Sequence, residues 1–239
     1  MGTLSRSRAD SVAEQLRQRI LTQAVGDGEK LPRLEDLAAE FGISRPTMRD
    51  ALRILETEGL ATVRRGRFGG AVVHRPQTLD AAHSLGLVLR GQDVGVDDLT
   101  VAMRHLDHIC AQLCAGRTDR HEVLVPALWE VHEQSVGAVG DGQAFGLLST
   151  RFHELLLTGS GNATITLVVG ALQVLWTAHA AAWADQRQLG PSEFPSLEYQ
   201  RRSLADHELL IRHIDRGDAD IAATLARRHL DWTTGYLLD

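Results

Sequence analysis

Three histidines are the side chains of this 239-residue chain best placed to do chemistry together: His153 in RFHELL, His207 in ADHELL and His229 in ARRHL. His207 and His229 flank the turn DRGD symmetrically, since (207 + 229)/2 = 218 and each lies 11 residues from that midpoint. Eleven residues is close to three helical turns at ~3.6 residues each. In an antiparallel helix pair the two rings therefore stand at one height, and His153 lies on an earlier helix that could pack beside them. Three converging imidazoles suit Zn(II), Ni(II) or another borderline transition metal. The chain has eleven histidines, ten of them after residue 78, so for any single one the plainer reading is a surface or packing residue.

A second constellation lies near the amino end, in ISRPTMRDALRILETEGL. Arg45, Arg49 and Arg53 repeat at i, i+4, i+8, while Met48, Ala51, Leu52 and Leu55 form a separate apolar stripe. Ser44 and Thr47 put hydroxyls at the helix start, where free N–H groups and the helix dipole favour phosphate. A helix of this kind presses its front end against a polyanion, and arginine is suited to bidentate contact with guanine or phosphate. Downstream, Arg64, Arg65 and Arg67 surround Gly66 in a turn that could lie over phosphates or a minor groove.

These residues must be positioned by short, regular elements. An apolar stripe at Val12, Leu16, Ile20 and Leu21 predicts a helix over Ser11–Val25, and a second helix follows Pro32, closed by Gly42. Ser44 is the expected N-cap of the third, with Pro46 in its first turn. Two short helices across a tight turn make a helix-turn-helix, and strands over 60–63 and 71–73 add a wing. Beyond a linker at 75–78, helices are expected at about 79–90, 96–116, 119–139, 142–158, 163–186, 197–216 and 218–236, an antiparallel bundle. The fold class is mainly α. Residues 1–75 are expected to be a DNA-binding domain and 76–239 a separate all-helical domain.

Composition narrows the field. At 44% apolar and 23% charged residues the chain is globular rather than disordered. Net charge is −6, divided as 13 − 10 = +3 over residues 1–78 and 12 − 21 = −9 over 79–239. No apolar run approaches the ~20 residues that span a bilayer, and MGTLSRSRAD lacks the apolar core of a secretory signal. A cytoplasmic protein is expected, with Cys110 and Cys114 as buried apolar residues in a reducing compartment.

LPRLEDLAAEFGISRPTMRDALRILETEGL followed by VRRGRFGGAVV resembles the winged helix-turn-helix of GntR-type bacterial transcription regulators over about residues 10–75. The resemblance implies DNA contacts from Arg45, Thr47, Arg49 and Gly66. Many members carry arginine where this chain has Glu35; either Arg33 takes over that phosphate contact or the operator differs. RFHELLLTGSGN, SLADHELLIRHIDRGDADIA and LARRHL resemble the all-helical FCD effector domain of the FadR subfamily over most of residues 79–236. Metal-binding members hold the ion with an aspartate four residues before the first of three histidines. The histidines map onto His153, His207 and His229, and the aspartate position is Ser149, a poor ligand. The same domains carry an arginine that clamps an effector carboxylate. Arg104 is the candidate, although aligning Asp107 with the family's glutamate would put Met103 there; the plainer reading pairs Arg104 with Asp107. Asn162 is a second candidate effector contact, with capping as its simpler role.

The function expected is a ligand-responsive regulator, a homodimeric repressor released from a pseudo-palindromic double-stranded operator by a small organic acid, with no membrane and no catalysis. Two other readings use the same residues. A metal-dependent hydrolase would need a general base, and Glu154 and Glu208 should point away from the histidines on their helices. An architectural DNA-binding protein would bind no effector.

Overall fold

Ser7 opens the first helix by a closed capping box: its hydroxyl accepts from Asp10 N–H at 3.1 Å, and the Asp10 carboxylate accepts from Ser7 N–H at 3.0 Å. The computed structural model describes residues 7–22, 24–64, 70–188 and 195–235. Because of that cap, α1 spans Arg8–Leu21, earlier than the stripe alone predicts. Val12, Ala13, Leu16 and Ile20 are buried, but Leu21 is 50% exposed and belongs to no core.

The chain divides into two units, Met1–Gln77 and Thr78–Asp239. In the first, α2 (Leu34–Glu40) and α3 (Arg45–Thr57) are separated by a turn in which Gly42 takes φ 62°, a left-handed value that disfavours other residues. Met48, Ala51, Leu52 and Leu55 of α3 are all buried with the apolar face of α1. The wing strands β1 (Ala61–Arg64) and β2 (Gly70–Val73) pair antiparallel, Ala61 opposite Val73 and Arg64 opposite Gly70. The other edge of β2 is also paired: Leu31 N–H donates to Ala71 at 2.8 Å and Val73 N–H to Glu29 at 2.8 Å. The segment before α2 thus covers an edge that would otherwise be open. Several arginines are spent on this framework. Arg17 of α1 grips Glu58 beyond α3 at 2.9 and 2.5 Å, and Arg19 pairs with Glu40 at 2.6 Å.

The second unit is a helical bundle of α4 (Thr78–Gly91), α5 (Val96–Gly116), α6 (Val125–Gly137), α7 (Gly142–Gly159), α8 (Ala163–Gln186), α9 (Leu197–Arg216) and α10 (Ala219–Gly235). The helix expected over 119–139 is not uniform, because Pro126 can give no N–H to the preceding turn and its ring crowds the carbonyl there. A single π-helical turn, Arg120–Leu124, precedes α6 instead. Phe152, Leu128, Ile211 and Ile214 are fully enclosed at the centre. Cys110 and Cys114 are both buried and not joined in a disulfide.

α8 corrects one expectation. An 18-residue window of this 24-residue helix reaches a mean hydropathy of 1.6, enough by length and composition to cross a membrane. Threonines, Gln173 and His179 interrupt the run, so no unbroken apolar stretch signals it. The helix packs against α4, α5 and α7, burying Val169, Ala171 and Leu172, as a bundle helix does.

Candidate functional site

In the first unit the start of α3 is built as the residue types require. The Ser44 hydroxyl accepts from Thr47 N–H at 3.3 Å and lies 2.8 Å from the Thr47 hydroxyl, so both hydroxyls mark the positive end of the helix. Arg45 and Arg49 project from the exposed face. Arg33, Arg49, Arg53 and Arg64 line one groove of about 770 Å³ between α2, α3 and the wing strands, with Glu35, Asp50 and Glu56 among them. Arg53, the third member of the arginine stripe, and Arg64, the first arginine of the wing, thus stand on one groove wall with Arg33 and Arg49. Arg65, Gly66 and Arg67 lie outside the described residues.

Glu35 has a definite partner here. Its carboxylate stands 3.7 Å from the Arg45 guanidinium, so the departure from the family pattern touches an arginine expected to contact DNA.

In the second unit α7, α9 and α10 bring His153, His207 and His229 together, with one nitrogen of each within 4.8 Å of the others. Ring centroids are 5.4 Å apart for His153–His207 and His153–His229, and 4.8 Å for His207–His229. The α9–α10 hairpin sets this up. Gly217 takes φ 78° to end α9, and His213 ties across the turn to Asp218 at 2.9 Å. Phe152 stacks on His207 at 3.9 Å and closes that side to water. His207 and His229 are buried, whereas His153 keeps partial exposure because it lines a cavity.

Burial, reinforced by the neighbouring His229, pushes His153 down to about 3. His207 is likewise held well below its ordinary value, by burial first and then by His229 and His153. Both rings are therefore neutral at pH 7, with lone pairs available. Three imidazoles in mutual reach are a donor set that fits zinc or nickel.

Asp206, next to His207, went unnoticed in the sequence. It accepts from Trp232 Nε1 at 2.8 Å and from Arg228 at 2.8 Å, and its Oδ2 lies 3.4 Å from His229 Nδ1. Burial pushes its carboxyl up, but the contacts with His229, Trp232 and Arg228 outweigh that and hold the acid well below the usual carboxylate range.

The cavity beside His153 measures about 90 Å³, far below the ~300 Å³ at which pockets for drug-sized ligands begin. Met103, Ser149, Gln173, Trp176, Tyr199 and Thr233 are among its walls, and no lysine or arginine is among the lining residues described. The indole Nε1 of Trp176 is buried with no hydrogen-bond partner. Ser149 thus does stand beside His153. Arg104 does not reach the cavity: it pairs with Asp231 of α10 at 3.6 Å, and Met103, one position earlier, forms the wall. One residue is about 100° of helix rotation, which is why the two point apart. Asn162 is also absent from the wall; its Oδ1 accepts from Ile165 N–H at 3.1 Å and caps α8.

A DNA-reading winged helix-turn-helix and a ligand-binding helical bundle in one chain define a ligand-responsive transcription regulator. Residues 8–72 match the bacterial regulatory proteins of the gntR family, and residues 98–231, more than half the chain, match the FCD domain. The chain belongs to the GntR family, in the FadR subfamily that carries FCD effector domains. It is similar to RmpR of Mycobacterium gastri, named as an HTH-type transcriptional regulator, with 26% identity across 97% of this chain and 81% of RmpR. The HTH-type transcriptional repressor NanR of Salmonella schwarzengrund is 26% identical across 93% of this chain and 81% of its own length. The fold matches a GntR structure from Streptococcus agalactiae with a TM-score of 0.68 at 22% identity, covering 95% and 99% of the two chains. Family and relatives are transcription regulators rather than enzymes, which removes the hydrolase reading.

Proposed function

We propose that this regulator is a cytoplasmic repressor that binds a pseudo-palindromic operator as a homodimer and is released by a small organic acid. In this reading residues 1–75 read the DNA and residues 76–239 bind effector and form the dimer. Two-fold operators suit two-fold proteins, and the relative NanR is named as a repressor. Arg45, Thr47, Arg49 and the wing residues Arg65, Gly66 and Arg67 make the base and groove contacts; Arg33 and Ser44 hold phosphate.

The observation that carries the effector half is the cavity wall. His153 opens onto a space whose described lining contains no cationic side chain, and burying an unpaired carboxylate costs several kcal/mol or more. A divalent transition metal, zinc or nickel, held by His153, His207 and His229 would supply the positive charge that an acid needs there. Arg104 and Asn162 drop out of the contact set, while Trp176 Nε1 and Ser149 offer hydrogen bonds to the acid's oxygens. Effector and operator then weaken each other by one common factor.

The test is operator binding by fluorescence anisotropy at fixed salt, with a panel of small carboxylates, in metal-loaded and chelator-stripped protein. Release by a carboxylate only in the loaded protein is the expected result. Equal release from stripped protein would remove the metal from effector binding, and no release by any acid would remove the effector class.

A further inference from the structure

Asp206 is a buried carboxylate in α9 with all three of its partners on α10. Arg228 donates to one oxygen at 2.8 Å and Trp232 Nε1 to the other at 2.8 Å. That second oxygen also faces His229 Nδ1 at 3.4 Å. The Nδ1 atom is buried and makes no aligned hydrogen bond, with Asp206 or with any other group; at 3.4 Å the carboxylate is the ion-pair partner within its reach. A carboxylate oxygen can only accept. A lone pair on Nδ1 would face that oxygen repulsively, whereas a proton there would face it favourably. The proton therefore belongs on Nδ1, which leaves the lone pair on Nε2.

We infer that Asp206 is a positioning residue of the histidine site, fixing the tautomer and ring orientation of His229 so that Nε2 is the atom offered to a metal shared with His153 and His207. The contact does a second thing. A carboxylate against one ring nitrogen makes the other a stronger donor. Ser149 supplies no anion among the ligands, and Asp206 supplies one at the far side of a ring instead. Trp232 and Arg228 keep it in place: the indole is itself held edge-on against Tyr199, with centroids 5.1 Å apart, and Arg202 lies 4.3 Å over its ring.

This inference rests on reading the three histidines as a ligand set, and its test separates the two. Full-length protein labelled with 15N-histidine reports the His229 tautomer by long-range 1H–15N correlation without any metal. Zinc affinity is measured in parallel by competition with a chromophoric chelator. Wild type is expected to show His229 protonated at Nδ1 alone. Asp206→Asn should lose that exclusive form and bind zinc about 10- to 100-fold more weakly, with Asp206→Glu recovering part of both. Trp232→Phe removes one hydrogen bond to the carboxylate but not the carboxylate, and should keep the tautomer while changing zinc affinity by no more than about 3-fold; it controls for simple loosening of the hairpin. A wild-type His229 protonated at Nε2, or an Asp206→Asn protein unchanged in tautomer and affinity, overturns the inference. Wild type with the Nδ1 proton, lost in Asp206→Asn, but with no zinc binding would uphold the positioning role and overturn the metal reading.

Discussion

Glu35 and Arg45 meet at 3.7 Å across the gap between α2 and the start of α3, both side chains more than half exposed. On the face proposed to contact DNA, a carboxylate repels phosphates and also occupies Arg45, one of the arginines proposed to contact them. An exposed pair of this kind is worth at most about 1 kcal/mol. Glu35→Gln should therefore tighten binding to any duplex by roughly 2- to 5-fold at low salt, the effect fading as salt screens it. Anisotropy titrations on operator and random DNA at two salt concentrations check this. Tightening on random DNA with weaker operator binding would mean that Glu35 reads a base, as an acceptor for cytosine N4 does.

Arg49 and Arg53 share one groove wall, but their loss should read differently. Arg49→Ala is expected to cost about 1–3 kcal/mol on operator and little on random duplex, with an unchanged circular dichroism spectrum. Arg53→Ala, further from the helix start, should weaken both alike and reduce the salt slope by about one. Equal losses on both duplexes for Arg49→Ala would move it from base reading to phosphate contact.

Acid should destabilise the metal-free protein through the histidine site. His153 titrates near 6.5 when unfolded and at about 3 when folded. Between those values the unfolded state binds the extra proton, so stability is fully present above pH ~6.5 and is lost as pH falls towards 3. The slope is up to about 1.4 kcal/mol per pH unit for each such histidine, and His207 is shifted in the same direction. Urea midpoints between pH 7.5 and 5 should fall accordingly, and His153→Gln should flatten the fall by about one proton. Parallel curves for the two proteins would show that His153 titrates normally.

Restoring the acid at Ser149 is the direct probe of the ligand set. Ser149 and His153 line the same cavity one helical turn apart. Ser149→Asp should raise zinc affinity on the order of tenfold or more, since it adds an anionic ligand to three neutral ones. Metal analysis of protein purified without added metal should find about one ion per chain, lost in His207→Ala. An unchanged affinity in Ser149→Asp would place residue 149 outside the ligand sphere.

Much of this architecture was legible because it obeys short-range rules. The α3 stripe, the Ser44 cap and the equal heights of His207 and His229 are each fixed by helical periodicity and one turn. What escaped depended on pairs far apart in sequence. The cover of β2 by residues 28–31 has no periodic signature, and the choice between Met103 and Arg104 turns on one helix step against α7, α8 and α10. Asp206 could have been found by the rule that found the histidines, because (206 + 232)/2 = 219 and (206 + 228)/2 = 217 bracket the same hairpin turn.

The hairpin through Gly217 also acts as a ruler. His229 meets His207 because a set number of residues separates them, and a single insertion or deletion in that stretch would swing His229 by about 100° and shift it about 1.5 Å along its axis. Asp206 would lose Arg228 and Trp232 at the same stroke. Point substitutions can drift across this part of the chain one at a time, but a change in its length would dismantle the histidine cluster and its carboxylate support together.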